Sequence, residues 1–242
     1  MVLTSFLLLS NVATTIGDSN SPLPSADEVV ANMMVRDRER QSALNGYTAA
    51  RRYILENQSH HKRAEMLVRV TCQRDGSKQF ETISETGWGG ARKYVFRGLL
   101  DAEIEASRPE LRQRSRVTPE NYAFEMMGTE YVNGRPAYVM GIAPKTPNKY
   151  LTKGRIWIDA EEYAIVRIEG KPAKNPSFWI KSVHFVHNYE KQGSFWFPVS
   201  DVSVTDARIF GNTELTVEYF TYTPTTSAPS AARESVRANL PN

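Results

Sequence analysis

The sequence predicts a mainly β (α+β) chain built on a curved antiparallel sheet or barrel, and three observations carry that prediction. Residues 150–222 contain successive runs, GRIWID, YAIVRIEG, PSFWIKSVHFVHNYEK, GSFWFPVSDVSVTDARIFG and ELTVEYFTY, in which apolar and polar residues alternate and aromatic and β-branched types dominate. A period of two gives every strand one apolar and one wetter face. The runs are short, are closed by Gly, Pro, Asn or charged turns, and have no long helix between them, as in a continuous meander. Finally, 242 residues with 40% hydrophobic and 24% charged content suffice for one sizeable core, and an all-β sheet of this length commonly forms one domain.

Taken in order, the chain begins with an apolar run inside residues 1–17 (Val2, Leu3, Phe6 to Leu9, Val12, Ala13) that passes into small residues and then a polar stretch. This is the pattern of a signal peptide. It is too short to span a bilayer, and no Lys or Arg precedes it. Export is the expectation, with residues 18–24, including SPLP, as a linker. A single domain is expected over 25–223. Ser25 can cap a helix whose first turn carries Asp27 and Glu28 and whose apolar stripe is Val29, Val30, Met33 and Met34; Asn45-Gly46 is its expected terminator. Strands are expected at 47–56, 62–73 and 79–86, the last two joined by the turn RDGSK. A helical insertion follows the GWGG segment, with Pro109 opening a second piece. Strands resume near 122–127 and 137–142 around VNGRP and continue into the long meander. Residues 224–242, rich in Pro, Ser, Ala and Thr, read as a mobile tail. One helix, about three strands, an insertion and about seven strands make a sheet that must curl or close. If it stays open, only the helices can cover its apolar face.

The net charge is +3 and basic residues are interleaved with acidic ones, so no concentrated basic stripe marks a nucleic-acid binder. Lone Cys72 cannot form an internal disulfide. It shares an alternating face with Met66, Val68 and Val70, which suits a small buried hydrophobe, and it does not follow the leader, so N-terminal lipid attachment is not expected. No GxSxG, HExxH, phosphate-binding glycine loop or CxxC pair is present. His184 and His187, three apart on a strand, project to opposite faces and cannot share a metal. His60-His61 sits in a polar turn without further ligands. Arg167 and Glu169 read as a cross-strand ion pair on the wet side of the sheet. No catalytic residue, metal or cofactor is implied. The aromatics are more telling: PSFWI and SFWFP must place rings on both sheet faces, and rings left uncovered should meet a helix, a ligand or a partner. Met33, Met34, Met126, Met127 and Met140 add flexible side chains suited to irregular apolar ligands.

The run 155–222, with its phrases WIDAEEY, RIEG and PSFW, resembles the C-terminal part of LolA-like proteins, labelled outer-membrane lipoprotein-sorting proteins; in element order the resemblance covers residues 25–223. The resemblance implies a half-open antiparallel β-barrel with helices over the concave face, enclosing an apolar cavity for acyl chains of lipids or lipoproteins in the periplasm. A related branch of that family senses mislocalised lipoproteins and controls an anti-sigma factor. Arg51 and Arg52 lie on an early strand where the local match is weak, and no role is carried over to them. The expectation is therefore a non-enzymatic periplasmic binding protein with only peripheral membrane contact. Alternation selects Val68, Val70, Ile156, Ile158, Val166, Ile168, Phe185, Leu215 and Val217 as its cavity-facing residues. Burying a C16 chain would supply on the order of 10 kcal/mol before ordering costs. The alternative is an interaction or sensor module that docks another envelope protein through a sheet edge or exposed aromatics.

Overall fold

Why the chain starts as a helix is visible in its cap. In the computed structural model, which describes residues 23–175, 178, 180–208 and 211–226, the Glu28 N–H donates to Ser25 Oγ at 3.2 Å, opening α1 (Ala26–Ala43). Asp27 and Glu28 occupy its first turn and Arg40 its last, as the helix dipole favours. The helix passes straight into β1 (Leu44–Asn57), so Asn45-Gly46 lies inside a strand and does not end the helix as expected. Gly46 sits at a register shift between β1 and β10, with φ +129 and a backbone so close to Cys72 that an added Cβ would lie 2.4 Å from its carbonyl oxygen.

The remaining elements are β2 (Lys62–Gln73), β3 (Lys78–Gly87), a π-helical turn (Ala91–Phe96) running into α2 (Arg97–Ala106), α3 (Pro109–Ser115), β4 (Tyr122–Val132), β5 (Arg135–Pro144), β6 (Thr152–Asp159), β7 (Ile165–Pro172), β8 (Ile180–Gln192), β9 (Phe195–Ala207) and β10 (Gly211–Thr226). Among the described residues this is three strands, a helical insertion and seven strands. All pairings are antiparallel, in the order β3-β2-β1-β10-β9-β8-β7-β6-β5-β4. The last strand returns beside the first, leaving β3 and β4 as the two free edges of a curved, half-open barrel. No described helix is long and apolar enough to cross a membrane. The leader (1–17), most of the linker, Trp179 and residues 227–242 of the tail lie outside the described residues.

The helices divide the inner face between them. Val29, Val30 and Met33 of α1 pack on Tyr122, Met140, Ile142, Leu151, Ile156 and Ile158 of the β4–β6 half. Ala91 and Phe96 pack on Tyr53, Leu55, Ala64, Met66, Val68 and Val217 of the β1, β2 and β10 half. Three fully buried side chains on α1 contribute up to ~6 kcal/mol of apolar burial, an upper figure before ordering costs. A third cluster, Ala137, Val139, Trp157 and Val166, lies on the outer face.

Val166 corrects a sequence expectation. Trp157 pairs with Arg167 while Ile158 pairs with Ile165, so Val166 is the extra residue of a bulge. A bulge sets two neighbouring side chains on one side of the strand: Val166 joins the outer cluster with Trp157, and Ile165 and Ile168 pack toward the inner face.

Candidate functional site

Between the two helical covers, the strip of inner face formed by β7, β8 and β9 is only partly filled. A cavity of about 430 Å³ remains there, open to solvent between α1 and residues 115–118. Met33 and Met34 of α1, Val117, Ile165, Ile168, Tyr189, Phe195 and Phe197 line it, and Asp37, Arg40 and Arg116 bring charge to its margin. Such a volume falls within the roughly 300–1,000 Å³ of small-molecule sites. The floor is rigid. Phe197 stacks on Tyr222 with ring centroids 4.3 Å apart, Tyr47 meets Phe197 edge-on at 5.2 Å, and the Tyr222 hydroxyl donates to the Pro198 carbonyl at 2.8 Å. The margin is tied down as well: Arg40 donates to the Glu162 and Tyr163 carbonyls, and Arg116 pairs with Asp37 at 2.8 Å.

Beside this apolar floor runs a polar network. Arg51 is 1% exposed, on the same inner face as Ala49, Tyr53 and Leu55. It donates to both carboxylate oxygens of Glu103 on α2, at 2.8 and 2.9 Å, and Lys78 Nζ reaches the same carboxylate at 2.7 Å. The guanidinium lies 4.6 Å from the Tyr219 ring and 5.6 Å from the Phe80 ring, as a buried cation prefers. Its Nε has no hydrogen-bond partner among the described residues. Burial alone would raise Glu103; Lys78 and Arg51 outweigh it and hold the carboxyl below its ordinary value. Burial likewise works against the Arg51 charge, and Glu103 reverses the balance. The Tyr53 hydroxyl is pushed up to about 12 by burial, with Glu103 adding to it.

The network continues across the strip. Tyr219 donates to Asp201, whose other oxygen lies 2.7 Å from His187 Nδ1. Burial and Asp201 both raise the Tyr219 hydroxyl. In nucleophilic catalysis the base stands between nucleophile and acid. Here the carboxylate is in the middle and accepts from both neighbours, an arrangement that satisfies a partly buried acid and differs from that order. Among the described residues no group of three or more His, Cys, Asp or Glu could hold a metal.

The residues picked by alternation are distributed as follows. Ile168 lines the cavity. Ile156 and Ile158 are buried beneath α1; Val68, Leu215 and Val217 lie beneath the π-helical turn and α2. Val70 is fully buried, Phe185 packs on His187 with ring centroids 4.7 Å apart, and Val166 faces outward. Arg167 and Glu169 pair at 2.8 Å. Cys72 is half-buried, its thiol pushed up by burial. Alternation missed Tyr189, Phe197, Arg51 and the Tyr219–Asp201–His187 chain. The signal for Arg51 was present: in AARRYIL it shares the face of Ala49, Tyr53 and Leu55, and a charge on an apolar face must find a partner.

The fold and this gap define a class: a half-open antiparallel barrel whose inner face is covered by helices from two places in the chain. Within that class, the chain belongs to the family of unknown function DUF5686, matched over residues 44–223. The sequence matches no curated protein. Among solved structures it is similar to a putative outer membrane lipoprotein-sorting protein domain from Vibrio parahaemolyticus, with 13% identity, 88% of this chain and 99% of that chain covered, and a TM-score of 0.43. It is also similar to a LolA superfamily protein from Nitrosomonas europaea, with 7% identity, 86% and 97% covered, and a TM-score of 0.36. The MucA/MucB complex of Pseudomonas aeruginosa matches at 12% identity, with 84% and 99% covered and a TM-score of 0.27. The likeness to lipoprotein-sorting domains expected from residues 155–222 is thus found among solved structures, at a level that carries nothing about function.

Proposed function

We propose that this chain is a non-enzymatic envelope protein that holds an acyl chain of a lipid or lipoprotein in the gap between α1 and the β7–β9 strip. The observation that carries the reading is the open, apolar cavity of about 430 Å³, floored by Ile168, Phe195 and Phe197 and walled by Met33 and Met34. Thioether side chains conform to flexible ligands, and Arg40 and the Arg116–Asp37 pair give a polar margin where a headgroup would emerge. The chain would work in the periplasm, exported by its leader, in keeping with the apolar run of residues 1–17. The test is uptake of a fluorescent acyl probe, with native mass spectrometry of gently purified protein. Ile168→Trp should fill the gap and weaken uptake by ~10-fold or more, given roughly 0.8 kcal/mol for each methylene displaced. The exposed control Val204→Trp should not. Wild-type protein that carries no lipid and takes up no probe ends this reading.

A second reading has its own observation. Edge strand β3 is exposed over most of its length, with Ile83 on it exposed, and an open edge can accept an extended segment of another protein. A photo-crosslinker at position 83 that captures one defined envelope protein, with or without lipid, favours this docking role; failure to crosslink counts against it.

A further inference from the structure

We propose that one end of the barrel is a docking surface for an anionic lipid bilayer. Antiparallel pairing fixes which connections share an end: Asn57 pairs with Lys62, Ala64 with Gly87, Thr152 with Pro172, Ile180 with Ala207 and Gly211 with Ala207. Residues 58–61, 145–151, 173–175, 178 and 208, with residues 88–95 leading into the helical insertion, therefore lie at one end. Together these segments carry six Lys or Arg and no carboxylate. The turns at the opposite end (74–77, 133–134, 160–164 and 193–194) carry three carboxylates and one cation. The connections at the two ends thus differ in charge, and at the opposite end Arg135 and Lys191 pair with Glu161 and Glu162 while Arg40 and Arg112 lie against the turns.

The second observation concerns the side chains. Three segments at the cationic end, the π-helical turn among them, each raise an aromatic ring into solvent: Tyr94 at 69%, Tyr150 at 37% and Phe178 at 74% exposure. Each ring has its own cation over it. Lys93 Nζ is 5.2 Å from the Tyr94 centroid, Lys149 Nζ is 4.8 Å from Tyr150, and Arg208 Cζ is 4.8 Å from Phe178. Arg208 also donates through Nε to the Phe178 carbonyl at 2.9 Å. Two other exposed rings, Tyr131 and Phe220, lie on strands.

Rings beside flexible cations match the boundary between headgroups and acyl chains, where an aromatic gains an apolar contact and the cation stays with phosphate. Charge complementarity selects an anionic lipid surface as the occupant. Carboxylates border this end as well: Glu56 and Asp206 at strand ends pair with Arg63 and Lys181, and Glu85 on β3, Glu120 before β4 and Asp27 and Glu28 at the start of α1 lie outside the loops, which themselves carry none. The surface stands apart from the gap, and the inference holds whether or not the gap takes a lipid.

The experiment is co-sedimentation of the full chain with phosphatidylcholine vesicles, pure or containing one part in three phosphatidylglycerol, at low and at physiological salt. Binding is expected on the anionic vesicles only, weakening with salt. The triple variant K93Q/K149Q/R208Q should lose on the order of 100-fold in affinity at low salt, since each basic residue near such a surface contributes about a factor of five. The triple variant Y94S/Y150S/F178S should also weaken binding while keeping the salt dependence. All six side chains are at the surface, and unchanged melting curves would establish that both variants fold. I168W should bind vesicles like wild type, which separates this surface from the proposed acyl site. Equal binding to neutral vesicles, indifference to both triple variants, or binding to polyglutamate but to neither vesicle would overturn the proposal.

Discussion

Replacing Glu103 by Gln should release the helical insertion from the sheet. The Glu103 carboxylate lies on α2 and answers two cations from different strands, Arg51 on β1 and Lys78 on β3, through three contacts of 2.7 to 2.9 Å. Its side chain is 29% exposed, whereas that of Arg51 is 2% exposed. Gln keeps the shape and one acceptor oxygen but leaves a buried guanidinium without a counter-charge. Breaking a buried pair from one side costs about 3–5 kcal/mol. The partial exposure of Glu103 and the Tyr219 and Phe80 rings around Arg51 soften that, so the expected loss is about 2.5 kcal/mol. In a domain of this size the melting temperature should fall by roughly 5–10 °C. Urea denaturation measures the loss, and amide exchange over Arg97–Ala106 shows whether α2 opens first. The triple replacement R51M/K78M/E103L, which removes all three charges, should return to within about 1 kcal/mol of wild type, because well-packed apolar groups replace buried ion pairs at little cost. A loss under ~0.5 kcal/mol for E103Q, with α2 exchange unchanged, would refute the view that this cluster fastens the insertion.

Three further outcomes follow from the same structure. Glu103 is held below its ordinary 4.5 and Asp159 below 3.8, the former chiefly by Lys78 and Arg51 and the latter by Arg135. Their contribution is therefore complete above those values and lost as pH falls below them. Melting temperature measured between pH 7 and pH 3 should drop in that acid window, and a flat profile there would contradict the assignment. Gly154 and Gly170 face each other across β6 and β7, and a Cβ on Gly154 would lie 2.0 Å from the Glu169 carbonyl oxygen. Gly154→Ala should thus destabilise by about 2 kcal/mol or more in urea melts, as backbone cannot yield cheaply there. Thr221, a β-branched residue at φ +58, holds a strained conformation, and Thr221→Gly should gain about 0.5–1 kcal/mol in the same assay; a loss of stability would contradict the strain.

Much of the fold is legible in the chain because it rests on local rules. Ser25, with Asp27 and Glu28 after it, announces a helix start, and alternation announces strands that, β1 with β10 apart, pair only with neighbours in sequence. The candidate site is less legible. Alternation selects residues that face inward, yet most inward residues are core: Ile156 and Ile158 are covered by α1, and Val68, Leu215 and Val217 by the π-helical turn and α2. The bulge that turns Val166 outward inserts one residue into an otherwise regular run, and a period of two cannot register it.

A meander of about ten strands with a helical insertion after the third is written in local pattern, since side-chain period and turn chemistry are properties of short segments. What the inner face contains depends on long-range packing. How far two helices from distant parts of the chain extend over a curved sheet sets where packing stops and a gap of about 430 Å³ begins. The return of β10 beside β1 brings the Arg51 guanidinium over the Tyr219 ring, 168 positions along the chain. Such contacts depend on closure and register, which no local pattern encodes.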